Sequence, residues 1–233
     1  MKQKTITVKP FLNKNLNSIE DETGKIAFPL YYQITFERKN TQLKSYYNKY
    51  VSSLSLGDKE LQRMIEFEKA VLEKIVRKEK LSKGADFQLT GLKATYEVYI
   101  KSVDEIFQSY LKKKLIRNIS FTYSEFQNVL KFDGFETHFL VLYKAAKKLI
   151  DNLNKYCDAD FKDEVEAYKC FNKAVPFKDM FGINHVTLID WINKDSDEHV
   201  VRKMNEVLEG NETEFKKHFK TLNNIIIDRL KYL

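Results

Sequence analysis

Glycine and proline are scarce in this 233-residue chain, with 7 and 3 copies, and cysteine occurs only as Cys157 and Cys170. So few breakers disfavour a many-turned β-fold and favour long helices. Two cysteines outside any CxxC spacing exclude a disulfide framework and read as free core thiols in a reducing compartment. Long apolar runs are missing too. The densest, Phe139 to Tyr143, is far too short to span a bilayer. Met1 to Pro10 has no apolar stretch of the signal-peptide kind, so the expected location is the cytoplasm and no membrane partner is expected. No phosphate loop or nucleophile elbow appears. His138, His185, His199 and His218 are scattered, at no ligand spacing with one another or with either cysteine, so neither a metal nor a cofactor is expected.

What is present is positive charge and regular patterning. The formal net charge is +7, which attracts phosphate because neutralising phosphates releases condensed counterions. Thr5 to Lys9 alternates polar with apolar, as a half-buried strand does. Phe28 to Arg38 alternates again, placing Leu30, Tyr32, Ile34 and Phe36 on one face and Tyr31, Gln33, Thr35 and Glu37 on the other. Lys39-Asn40 then reads as a two-residue turn, with Thr41 to Tyr47 returning as a third strand.

From Asp58 onward the period is helical. Asp58 caps a helix running to about Ser82, with Leu61, Ile65, Leu72, Ile75 and Val76 inward and Gly84 as its stop. Leu92, Tyr96, Tyr99, Val103, Ile106 and Tyr110 form a heptad-like seam. Thr122 and Glu125 make a capping box, with Phe121 and Phe126 as its staple, and that helix ends near Asp133-Gly134. Another helix is predicted over 137–156, burying Phe139, Leu142, Tyr143, Ala146, Leu149 and Leu153. Cys157 to Lys162 reads as a joint, and a last helix follows Gly210-Asn211 with Phe215, Phe219, Leu222, Ile226 and Leu230 inward. The expected fold is α+β: a three-stranded N-terminal sheet over 1–57, then a mainly α-helical domain over 58–233.

Two segments point to DNA. Thr5-Ile-Thr-Val-Lys-Pro10, followed by Pro29-Leu-Tyr-Tyr-Gln-Ile-Thr-Phe-Glu-Arg-Lys39, resembles the N-terminal arm-type DNA-binding domain of Bacteroides-like tyrosine recombinases (integrases). The resemblance covers roughly residues 4 to 50 and does not include a catalytic domain. It implies a three-stranded sheet laid in the major groove of double-stranded DNA. Carried onto this chain, it makes Gln33 and Thr35 the base readers, with Arg38, Lys39 and Lys44 holding phosphates near the turn. One departure is Ser45-Tyr46-Tyr47-Asn48, which stands where the family has a Ser-Thr-Gly-Ile-like stretch. The second segment, Pro176 to Lys194, reads as a helix-turn-helix. In it Gly182 gives the turn, Ile183, Leu188 and Trp191 lock the second helix, and Asn184, His185 and Thr187 face outward, with Lys194 beside them as a further DNA contact.

Other basic clusters, Lys112-Lys113-Lys114 with Arg117 and Lys216-Lys217-Lys220, suit either a DNA backbone or a solvated helix face. His199-Val-Val-Arg202, Tyr232 and Thr90-Gly-Leu-Lys93 follow the chain order of a tyrosine recombinase. However, Lys93 replaces a bidentate arginine and no core-binding domain fits between Tyr50 and Thr90. The expectation is therefore not an enzyme but a DNA-binding accessory or regulatory protein of a phage or mobile element. A phage virion structural or assembly protein is the alternative, packaged in the particle and contacting a second copy or other phage proteins through Tyr96, Tyr99 and Tyr110. A degenerate tyrosine recombinase is a minor third reading.

Overall fold

A computed structural model describes residues 5–21, 23–55, 57–120, 137–175, 186–193 and 197–230. The architecture is α+β, an open antiparallel sheet with helices, and the described residues form two compact units. The first comprises the described residues up to Lys101 together with 186–193, and the second comprises the rest.

In the first unit the strands are β1 (Thr7–Leu12), β2 (Ile19–Glu20), β3 (Ile26–Phe36), β4 (Lys39–Lys44) and β5 (Tyr50–Val51). All four others pair antiparallel to β3. The three long strands are those expected, and β2 and β5 are two-residue additions along the first half of β3. The hairpin register differs from the expected one. Phe36 pairs with Lys39, so Glu37 and Arg38 form the turn and Asn40 lies within β4. Both turn residues have positive φ, 50° and 63°, the mirror-image geometry that matches the twist of the flanking strands. Neither is a glycine or asparagine, which is why the sequence pointed to Asn40 instead.

Alternation along the strands buries Ile6, Val8, Leu30, Tyr32, Ile34, Phe36 and Leu43 on one side. Helix α1 (Lys59–Lys83) covers that side. Asp58 caps it by accepting from the Leu61 N–H at 2.9 Å, and Gly84 ends it at φ 54°. Its buried stripe runs through Leu61, Met64, Ile65, Glu68, Leu72, Ile75 and Val76. This stripe, the inner sheet face and Leu92, Tyr96 and Ile100 make one hydrophobic cluster. The expected boundary after residue 57 falls inside a unit, where the inner sheet face shares its core with α1 and with Phe87, Leu89 and Leu92.

Helix α2 (Leu92–Tyr99) ends at Ile100. The expected seam from Leu92 to Tyr110 is therefore interrupted, and its second half belongs to α3 (Val103–Ser120) in the other unit. There α3 packs with α4 (Phe139–Leu149), α5 (Phe161–Ala174) and α8 (Glu212–Leu230), and α7 (Asp197–Val207) packs on α5 and α8, while α6 (Leu188–Asn193) returns to the first unit. Edge-to-face and stacked rings of Phe107, Phe139, Tyr143, Phe161, Tyr168 and Phe171 fill this core. Helix α4 stops earlier than expected: Leu149 is exposed and Ile150 is buried in its place. Helix α5 was not anticipated, since its buried Glu164 interrupts the apolar pattern. Helix α8 buries Leu222 and Ile226 as expected, together with Ile225, whereas Phe215, Phe219 and Leu230 are only half-buried. The Thr122 capping box and the helix ending at Asp133-Gly134 lie outside the described residues.

Candidate nucleic-acid interface

The pairing register fixes which side chains share the outer face of the sheet. Thr7, Thr35 and Asn40 stand in one row, Lys9, Gln33 and Gln42 in the next, and Phe11, Tyr31 and Lys44 in the third. Lys9, Asn40, Gln42 and Lys44 are exposed, and Gln33 and Thr35 are half-exposed. Phe11 and Tyr31 touch with ring centroids 5.9 Å apart. No carboxylate stands in these rows. At the turn, Arg38 and Lys39 are exposed, and Lys80 of α1 binds the adjacent Glu37 at 3.2 Å. The sheet residues Gln33, Thr35, Arg38, Lys39 and Lys44 are thus gathered on one face and its rim. Pairing adds Lys9 through the β1–β3 register, and Asn40 and Gln42 through the turn at Glu37-Arg38.

Behind this face, Glu68 ties sheet to helices. Its side chain is fully buried, and it accepts from Tyr32 Oη at 2.6 Å, Ser45 Oγ at 2.8 Å, the Tyr46 N–H at 2.7 Å and Tyr96 Oη at 2.5 Å. Burial pushes its carboxyl up, and these hydrogen bonds pull it partly back. The signal for it was its place in the apolar stripe of α1, where a carboxylate needs partners.

The second predicted segment fares differently. Leu188 and Trp191 are buried as expected. Thr187 is not outward-facing: it is fully buried and caps α6, with its Oγ1 donating to Asp190 Oδ2 at 2.6 Å and its N–H donating to the same oxygen at 3.2 Å. The polar residue ahead of an apolar turn is a cap here, not a base reader. Asp190 is also held by Lys74 Nζ at 2.6 Å. Asn184, His185, Ile183 and Lys194 lie outside the described residues, as does the first helix of the expected motif.

The helical basic clusters are largely occupied by carboxylates. Lys114 is buried among Asp158, Asp160 and Glu164 at 3.8, 2.9 and 2.8 Å, and Arg117 reaches Asp158 at 2.6 Å. Lys216 and Lys217 pair with Glu212 and Asp163 at 3.2 and 2.9 Å. The seam tyrosines are engaged within their own units. Tyr96 binds Glu68, and Tyr110 donates to Glu164 at 2.8 Å, with burial and that carboxylate pushing its hydroxyl up to about 12. Arg202 lies 3.8 Å from Glu206, while the side chain of His199 and residue Tyr232 are outside the described residues. Cys170 is buried and Cys157 half-buried; both are free, and burial raises both thiols. Among the described residues no cluster of three His, Cys, Asp or Glu is placed to hold a metal ion, and no helix is long and apolar enough to cross a membrane.

No protein-family model matches the chain, and neither a curated protein nor a solved structure matches it.

Proposed function

We propose that the chain binds double-stranded DNA through the outer face of its sheet, as a non-catalytic accessory or regulatory protein of a phage or mobile element. The observation that supports this most is the outer face itself, which carries Lys9, Lys44 and amides in register and no carboxylate, above an exposed Arg38-Lys39 turn. Elsewhere the lysine clusters are largely neutralised by nearby acids. Strands about 4.8 Å apart make a three-stranded ribbon roughly 10 Å between its outer axes, which suits a major groove about 12 Å wide. In this reading Gln33 and Gln42 read base edges and Thr35 and Asn40 add shorter contacts. Lys9, Arg38, Lys39 and Lys44 hold the two phosphate walls. The resemblance of residues 4 to 50 to recombinase arm domains supports the same placement. It also suggests the element-borne setting, with the cytoplasm as location.

Mobility shift of the full chain against a random duplex pool tests it. Lys9→Glu with Lys39→Glu is expected to weaken binding to every sequence alike, whereas Gln33→Ala should change which sequences are retained. Retention of full affinity by the double lysine variant would remove the sheet face from the account.

A further inference from the structure

Beside the outer face, the end of β4 and helix α2 enclose a cleft of about 610 Å³. Ligand pockets span roughly 300–1,000 Å³, so this one matches a compound of nucleotide size. Its two walls differ in chemistry. The sheet wall offers Tyr31, Gln42, Lys44, Tyr46 and Asn48, which combine ring faces with amides that both donate and accept. The helix wall offers Lys93 and Lys101, opposed by Glu97, which lies 3.9 Å from Lys93. Both lysines are exposed.

The floor is rigid. Ser45 and Tyr96, one from each wall, both donate to the buried Glu68 carboxylate, at 2.8 and 2.5 Å. The Ser45 N–H is held in addition by the Leu30 carbonyl at 2.9 Å. Walls tied to one buried acceptor keep their spacing when the cleft is empty, so binding loses less free energy to ordering.

We propose that this cleft is a binding site for a free nucleotide, with the ring against Tyr31 and Tyr46, the amides of Gln42 and Asn48 at the base edge, and Lys93 and Lys101 on the phosphates. Rings stack on aromatic faces with little regard to base identity, and clustered ammonium groups answer a polyphosphate. The cleft shares Tyr31, Gln42 and Lys44 with the outer face, whereas Lys93 and Lys101 take no part in that face, so their variants address the nucleotide site alone.

Titration calorimetry of the full chain with ATP at low salt tests it, with tripolyphosphate and adenosine as partial probes. One ATP per chain is expected, with each partial probe binding at least tenfold more weakly. Lys93→Glu with Lys101→Glu should weaken ATP at least tenfold and leave duplex binding in place. Tyr31→Ala should weaken ATP but not tripolyphosphate. Lys216→Glu with Lys220→Glu, an equal charge change on α8, should leave ATP binding intact. Tripolyphosphate binding as tightly as ATP would overturn the nucleotide assignment. So would ATP affinity indifferent to Lys93 and Lys101, or a loss of duplex binding in their double variant without any ATP binding to the parent chain.

Discussion

Glu68 sits where the apolar stripe of α1 meets the sheet, and four neutral donors converge on its carboxylate. Replacing it with Gln turns one acceptor oxygen into an amide that must face a donor, an expected loss of about 2 kcal/mol by chemical denaturation. Its pH dependence has a definite sign. Because burial raises the carboxyl in the folded chain, the proton is taken up there at higher pH than in the unfolded chain. The associated stability is present in full below the ordinary glutamate value and is lost as pH rises through the folded one. The gap in melting temperature between the parent chain and Glu68→Gln should therefore narrow from about pH 4 toward neutrality; a gap that widens would contradict the assignment. Asp160 behaves oppositely. The Lys114 hydrogen bond lowers it, so its contribution is present above the ordinary aspartate value and is lost as pH falls through the folded one. At its exposed position the effect is small. Thr187 makes a third residue-scale case. As a buried cap, Thr187→Ala should cost about 1–2 kcal/mol in thermal unfolding and leave DNA affinity unchanged in the folded protein.

At the scale of elements, the hairpin turn separates stability from binding. Glu37 and Arg38 hold φ 50° and 63°, values that glycine and asparagine adopt with less strain. Arg38→Gly should therefore stabilise the fold by about 0.5–1 kcal/mol while weakening DNA binding, a pairing that melting and mobility-shift measurements read separately. A drop in both would mean that Arg38 serves the fold. The same turn shows what was legible in the sequence. Alternation over Phe28–Phe36 identified β3 and both its faces, and Asp58 and Gly84 bounded α1, because these signals are local. Turn position depended on a strained Glu-Arg pair that no composition rule favours, so β4 was read with its turn two residues late. The break after Tyr99 was hidden because Leu92 to Tyr110 keeps its apolar spacing across two units. Thr187 is a related case: cap residues and groove-facing residues have the same polar chemistry, and only burial separates them. Lys9, Gln42 and the cleft residues required strand register, which single-sequence periodicity does not carry.

For the whole molecule, net charge alone says little, since a +7 chain can neutralise its own clusters. The distribution says more. The helical unit spends Lys114, Arg117 and Lys217 on its own acids, whereas among the described residues no acid pairs with Lys9 or Lys44 of the outer sheet face. Removing residues 1–57 would strip α1 of the sheet that covers Leu61, Ile65 and Leu72, so point variants on the full chain are the sound comparison. The decisive measurement is the salt dependence of duplex affinity for the parent chain and for Lys9→Glu and Lys44→Glu. Log-log slopes several units steep are expected, reduced by about one in each variant, because each lysine releases counterions from one phosphate. Affinity that is absent at modest salt, or a slope unmoved by either variant, would contradict DNA binding through the sheet.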